Sequence, residues 1–356
     1  MYVIILSFLT AFGLTYIVLP SIIGIARSKR LFDEPNNRSS HTISTPSLGG
    51  IGIFAGAIFS IVLWTPFNDF SNLQYILCAF LIIFLIGAKD DIAPLAPNKK
   101  IIGQVLAAAI LVFKSDIRLD GFYGLFGMHD EMWGIVYIAI SLFTILVIVN
   151  GFNLIDGING LAGSISALIA ITLGSWFFLV DRIEFSIVAF ATAGAVIAFL
   201  KYNYTPAKIF MGDTGSLLIG LVSAILAIKF IDLNYELDNA NPYKFEAVPA
   251  VAMGIMVLPL FDTLRVFLTR ILRGHSPFRP DRRHIHHLLI DVGLTHMQAT
   301  LVLVVVNLMF ILLVMIFNRS LDVHYLLFSI VALAGGMTYL LNRAVLRKLH
   351  RKTAGA

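Results

Sequence analysis

Two carboxylates stand side by side in Lys89-Asp90-Asp91, at the end of an apolar run, with Pro94, Lys99, Lys100 and Gln104 following. A carboxylate in hydrocarbon costs roughly 2.5–3.5 kcal/mol on insertion scales, so such a pair calls for a divalent cation or a cationic neighbour. One of the two could instead hold its proton and act as a base; an ordinary solvated helix end would carry them as well. Further on, Asn150, Asn153, Asp156 and Asn159 recur at every third position, along one side of a helical turn. Gly151, Gly157 and Gly160 between them let a ligand or a helix approach the backbone. Hard oxygens of this kind suit magnesium; in the plainer alternative they cap helices.

A third cluster, Phe210-Met-Gly-Asp213-Thr-Gly-Ser216, precedes an apolar span. Asp213 can cap that helix, and the same geometry offers free N–H groups to a phosphate. It is not a Walker loop, because no Gly-Lys-Ser/Thr follows a predicted strand. The fourth cluster, Arg279-Pro-Asp-Arg282-Arg283-His284-Ile-His286-His287, has three histidines in four residues. They lack the i, i+4 spacing of helical zinc ligands, and the flanking arginines would repel a dication. Arginines with imidazoles better suit a pyrophosphate or an anionic sugar nucleotide. A basic loop that only sets membrane orientation would explain the arginines but not the histidines.

The elements that must position these residues are set by composition. Hydrophobic residues make up 58% of the 356 residues, charged residues 13%, and mean hydropathy is +0.87. Soluble domains carry about 25% charged residues, so much of this surface faces lipid. The expectation is an all-α polytopic membrane protein, one catalytic domain over residues 1–356. Its eleven transmembrane helices fall at about 2–26, 47–65, 72–88, 100–114, 133–150, 158–180, 184–201, 213–231, 246–270, 297–317 and 323–341. The first has no basic leader or cleavage site and reads as a retained helix. Cys78 is the single cysteine, so neither a disulfide nor a cysteine zinc site forms within the chain.

The net charge is +5. The basic residues sit in short loops with no nucleic-acid-reading fold, so they speak for orientation and not for nucleic acid. With the N-terminus outside, 20 of the 26 Lys and Arg fall in cytoplasmic segments, the C-terminal tail included. One miscounted helix would flip every later loop and spoil that bias. The same parity puts all four clusters on the cytoplasmic face, in loops near 27–46, 88–100, 150–159, 201–213 and 271–296. A secondary transporter with Asp90, Asp91 and Asp213 as ion sites is the rival from another class, but transporters place such acids near the midplane, often in repeats. A lipid-binding scaffold without activity is a third reading.

Together the four clusters resemble the polyprenyl-phosphate N-acetylhexosamine-1-phosphate transferase family. That family includes the enzymes that start O-antigen, enterobacterial common antigen and teichoic acid linkage units, and the phospho-MurNAc-pentapeptide translocase. The first loop matches too, in Asp33-Glu-Pro-Asn-Asn-Arg38-Ser-Ser-His41, Thr45-Pro46 and Gly49-Gly50, and eleven helices fit the non-peptidoglycan branch. The resemblance implies a magnesium-dependent phosphoglycosyltransferase (manganese would also serve) of the bacterial inner membrane. It would move a sugar-1-phosphate from a UDP-sugar to undecaprenyl phosphate, releasing UMP and starting a cell-surface glycan; a homodimer is left open.

Carried over by position, the resemblance makes Asp213 and Asn153 the metal ligands and Asp90 and Asp91 the catalytic pair. Phe210 would stack on uracil, Asp156 and Asn159 would touch the nucleotide, and Lys100 would meet a phosphate. Arg282, Arg283, His284, His286 and His287 would belong to the substrate-recognition loop. His-Ile-His-His, Asp213-Thr214 and Asn159 depart from the translocase pattern. They favour UDP-GlcNAc or a close relative over UDP-MurNAc-pentapeptide.

Overall fold

The computed structural model describes the chain except residues 33–44, 67–72, 130, 132, 275–282 and 355–356, with backbone alone at 349–354. The first-loop residues from Asp33 to His41, and Arg279 and Arg282 of the fourth cluster, lie outside the described residues.

Each apolar segment expected to cross the membrane is helical. In chain order the helices are α1 (Tyr2–Ser28), α2 (Gly49–Trp64), α3 (Leu73–Ile92), α4 (Pro97–Lys114), α5 (Gly134–Ile155), α6 (Leu161–Leu179) and α7 (Ile183–Asn203). They continue with α8 (Gly212–Glu236), α9 (Val248–Ile255), α10 (Val257–Ile271), α11 (Ile285–Val292), α12 (His296–Phe317) and α13 (Val323–Ala354). Among the described residues no strand forms, and an isolated bridge joins Gly121 to Glu131. Seven helices among the described residues are long and apolar enough to span a membrane, or eight if α9 and α10 count as one bent span. Large apolar side chains such as Ile17, Phe143 and Phe328 stand exposed on the outer helices, as lipid-facing surface requires. The chain is a polytopic all-helical membrane protein.

α8 is the central pillar. Every residue from Thr214 to Ile228 is buried, the pattern of a helix apolar on all sides and packed on all sides. It contacts α5, α3, α2 and α6. Small residues let the backbones close up, which is how helices associate where lipid removes the hydrophobic drive. At the crossing of α2 and α8, a Cβ on Gly50 would lie 2.1 Å from the backbone nitrogen of Gly215. No larger residue fits at position 50 without parting the two helices.

The expected ninth span, 246–270, is not one helix. It breaks at Met256 into α9 and α10, bent by 86°. A break in an apolar segment exposes backbone groups that need partners, and Asn307 of α12 supplies them. Its Oδ1 accepts from Leu258 N at 3.3 Å and its Nδ2 donates to the Ile255 carbonyl at 3.0 Å. Asn307 is 0% exposed. Turned aside, α10 brings Asp262 and Arg265 to the fourth cluster, where the expected loop 271–296 contains the short helix α11.

Charges at the far end of α8 are paired locally. Lys229 donates to Asp232 at 2.8 Å, and Arg118 sits on Asp120 at 2.8 Å and Asp116 at 3.1 Å. Lys244 and Arg319 donate to backbone carbonyls of Tyr235, Leu237 and Pro242.

Candidate active site

The third cluster folds as a tight entry into α8. Gly212 has φ +70°, and a Cβ there would meet the Ser47 carbonyl at 2.0 Å and the Asp91 carboxylate at 2.6 Å, so glycine is required. The turn before it is held by main chain: Phe210 N donates to Pro46 O (2.7 Å), Gly49 N to Phe210 O (2.9 Å) and Gly50 N to Met211 O (2.8 Å). Asn203 ties the second and third clusters together. Its Oδ1 accepts from Gly160 N at 2.7 Å and its Nδ2 donates to Ile209 O at 2.9 Å.

Adjacent in sequence, Asp90 and Asp91 part company in space, because neighbours on a helix point about 100° apart. Asp91 closes the start of α8: Oδ1 accepts from Asp213 N (2.7 Å), and Oδ2 accepts from Thr214 N (3.0 Å) and Thr214 Oγ1 (2.5 Å). That is the cap which the amino end of a helix needs, with a negative charge at the positive end of its dipole. Asp90 turns elsewhere. Its Oδ1 accepts from Leu95 N at 2.6 Å, and its Oδ2 lies 3.6 Å from Lys100 Nζ.

Asp213 sits where these elements meet. Lys100, from the first turn of α4, donates Nζ to its Oδ2. Asn153, near the end of α5, donates Nδ2 to its Oδ1 at 2.6 Å and to Ser216 Oγ at 2.9 Å. One turn behind both donors, Gln104 and Asn150 clasp each other: Asn150 Nδ2 donates to Gln104 Oε1 at 2.8 Å, and Gln104 Nε2 to Asn150 Oδ1 at 3.4 Å. This amide pair sets how far Lys100 stands from Asn153. Nothing in the sequence marked Gln104 and Asn150 as partners, since the pair joins two helices.

A cavity of about 410 Å³ opens beside this group. Asp90, Asp91, Asn153, Asp156, Asn159, Phe210 and Asp213 line it, with Phe32 and Ser47 at its edge. Burial, with the charges of Asp213 and Asp91, pushes Asp156 up to about 8. Asn159 donates to Thr205 Oγ1 at 2.9 Å, and its carbonyl accepts from Thr300 Oγ1 at 2.8 Å. The structure thus gathers seven sequence-flagged residues around one cavity, with Lys100 reaching to it.

The fourth cluster is placed differently. His284, His286 and His287 do not line the cavity but are buried on α11 and its N-cap. Asp262 holds them there: His284 Nδ1 is 3.0 Å from its Oδ2, and Ile285 N donates to it at 3.1 Å. Arg265 donates to Asp262 at 2.7 Å and to the Arg283 carbonyl at 2.5 Å. The ring of His286 lies against Gly157, where a Cβ would come 2.3 Å from Nε2. Among the described residues neither of its ring nitrogens has a partner, and burial, with His287 beside it, pulls it down to about 3. These histidines back the second cluster from behind. Asp262 was the missed residue; read from sequence it paired only with Arg265.

Comparison with known proteins fits this geometry. The profile of glycosyl transferase family 4 matches residues 73–231, from α3 into α8, which covers the first three clusters and stops short of α11. An undecaprenyl-phosphate alpha-N-acetylglucosaminyl 1-phosphate transferase of Yersinia pestis is 31% identical over 273 residues, 76% of this chain and 72% of that protein. The protein of that name from Escherichia coli (strain K12) is 30% identical over 279 residues, 77% and 73% of the two chains. A Bacillus subtilis (strain 168) protein, named a probable undecaprenyl-phosphate N-acetylglucosaminyl 1-phosphate transferase, is 29% identical over 307 residues, 86% and 83%.

Proposed function

Because the chain belongs to glycosyl transferase family 4, we propose that it transfers N-acetylglucosamine-1-phosphate from UDP-GlcNAc to undecaprenyl phosphate. The products are undecaprenyl-diphospho-GlcNAc and UMP. The observation that carries this is the convergence of Asp90, Lys100, Asn153 and Asp213 at the first turn of α8, beside one polar cavity. In this reading α1 to α8, the bent α9–α10 pair, α12 and α13 make eleven crossings. The N-terminus is outside and the C-terminus in the cytoplasm, so the cavity opens at the cytoplasmic face of the bacterial inner membrane. A soluble nucleotide sugar and a lipid phosphate can meet only at such a boundary.

The cavity carries four carboxyl groups, Asp90, Asp91, Asp213 and Asp156, the last kept largely protonated at neutral pH by burial, and among the described residues Lys100 is the one ammonium paired with any of them, at Asp90 and Asp213. That excess of negative charge on hard oxygen atoms fits a divalent cation. Among the described residues no three His, Cys, Asp or Glu converge on one point. The fit is therefore to magnesium held by Asp213 and the amide oxygen of Asn153, with oxygens of the substrate diphosphate completing the shell, as magnesium commonly binds. Bound there, magnesium or manganese neutralises charge on the diphosphate.

The protein's own part is positioning and charge, as phosphoryl transfer asks. An oxygen of the lipid phosphate attacks the sugar-bearing phosphorus. The bond from that phosphorus to the bridging oxygen breaks, and UMP leaves with the electron pair. Asp91 is occupied in capping α8, so Asp90, on the cavity wall, takes the proton of the lipid phosphate. Lys100 meets the diphosphate, Phe210 stacks on uracil, and Asp156 and Asn159 contact the nucleotide. Arg282, Arg283 and the three histidines support substrate recognition, the histidines from behind Gly157.

The test is radiolabel transfer to undecaprenyl phosphate by purified protein, with magnesium or EDTA, from UDP-GlcNAc, other UDP-N-acetylhexosamines and UDP-MurNAc-pentapeptide. Metal-dependent lipid product and UMP from UDP-GlcNAc is the expected result. Product from the pentapeptide donor alone would move the chain to the translocase branch. Ion flux without any transfer would replace the enzyme by a transporter.

A further inference from the structure

Lys100 is placed to do more than meet a phosphate. Its ammonium lies on Asp213 Oδ2 and 3.6 Å from Asp90 Oδ2, bridging two carboxylates that would otherwise repel each other. Asn153 holds the second oxygen of Asp213. Both oxygens of the residue proposed to take the metal are thus engaged by the protein's own donors. A cation arriving at Asp213 meets a neutral amide at one oxygen and a like charge, the Lys100 ammonium, at the other. Lys100 is the donor free to yield. Its side chain is 17% exposed and four single bonds long, whereas Asn153 is also tied to Ser216. The helix under Lys100 is fixed by Pro97 at its start and by the Gln104–Asn150 clasp one turn on, so exchange asks only for a side-chain swing.

We propose that Lys100 is a built-in counter-ion for the carboxylate pair, displaced from Asp213 by the divalent cation, whereupon its ammonium turns to the incoming diphosphate. This rests on the metal-dependent reading above. It follows that the metal competes with a tethered positive charge in the empty protein and stops competing once nucleotide sugar gives that charge another anion. Metal and nucleotide sugar then strengthen each other's binding, a reciprocal coupling of the two ligands.

Manganese binding by electron paramagnetic resonance, without lipid acceptor, reads this out apart from turnover. Lys100→Met is expected to bind manganese at least about tenfold tighter than the unaltered protein, as removal of a unit charge some 4 Å from a dication implies. Lys100→Arg keeps the charge and should stay near the unaltered affinity. UDP-GlcNAc should tighten manganese binding to the unaltered protein by a larger factor than it does for Lys100→Met, where only direct contact between metal and diphosphate couples the two. If Lys100→Met is not monodisperse on size exclusion, Lys100→Gln serves in its place. Equal or weaker manganese binding by the neutral variants overturns the counter-ion role, and so does an absence of manganese binding to any of the proteins. Magnesium-dependent transfer by the unaltered protein, measured in parallel, separates the two failures. Transfer with no tightening in Lys100→Met sinks the lysine exchange alone, while no transfer sinks the parent reading with it.

Discussion

The two ends of α8 differ in how they treat charge. Around its last turns the basic groups are answered nearby: Lys229 by Asp232, Arg118 by Asp116 and Asp120, Lys244 and Arg319 by carbonyl oxygens. At its first turn Asp90 and Asp213 share Lys100, with Asp91 and Asp156 on the same cavity and no second ammonium paired with any of them among the described residues. Cavity size does not separate the ends. The larger space, about 950 Å³, lies at the balanced end against His129, Lys244 and Arg319, and the smaller, about 410 Å³, at the unbalanced one. Buried charge is kept unbalanced only where a ligand will balance it, since unpaired ions in low dielectric are costly. In the proposed reading the imbalance, and not the volume, marks the working end.

Substitutions matched across the helix can break that contrast. Asp213→Asn should lower transfer by about a thousandfold, the scale seen when a key electrostatic group is lost, with size-exclusion behaviour unchanged. Retained activity would put the metal elsewhere. Asp91→Ala removes three hydrogen bonds from the start of α8. It should cost about 2–4 kcal/mol of stability, read as a lower unfolding temperature in detergent, with activity falling alongside. Asp91→Asn, keeping one acceptor oxygen, should recover part of both. Phe210→Ala should raise KM for the nucleotide sugar about tenfold or more, as loss of base stacking does, and leave KM for the lipid in place. Equal effects on the two substrates would refute the stacking role.

The smallest effects sharpen the comparison from the other side. His286 stays neutral down to about 3 in the folded protein, while its ordinary value is 6.5. Between those values the unfolded chain binds a proton that the folded one refuses, so its contribution to stability is complete above about pH 6.5 and declines as pH falls toward 3. Unfolding temperatures at pH 7.5, 6 and 5 should show that decline, and His286→Phe should flatten it. Asp232→Asn, at the balanced end, should leave transfer within about twofold of normal. A large loss there would erase the distinction drawn between the ends.

Apolar run length was enough to find every helix that could cross the membrane, because in lipid each such run must satisfy its own backbone. The break in the ninth was not legible, because the group that makes it tolerable is Asn307, on another helix. The first three clusters, expected on one membrane face because each stands at an end of an apolar run, line one cavity. Asp90 and Asp91 looked equivalent, and only the approach of α8 distinguishes them. The fourth cluster was legible in composition and misleading in position. Three histidines beside arginines suggest an anion at the surface, yet Asp262, 22 residues before His284, draws them inward. Contacts of that range leave no trace in local spacing.

The turn ahead of Gly212 is fastened to residues 46–50 by three backbone hydrogen bonds, none involving a side chain. Such a fastening is blind to which residue occupies position 210. If Phe210 stacks on the donor as proposed, a lineage could exchange that aromatic for another and retune the contact without loosening the turn that carries it. Innovation in substrate choice and upkeep of the architecture would then be inherited separately, and a change at position 210 would be a short evolutionary step.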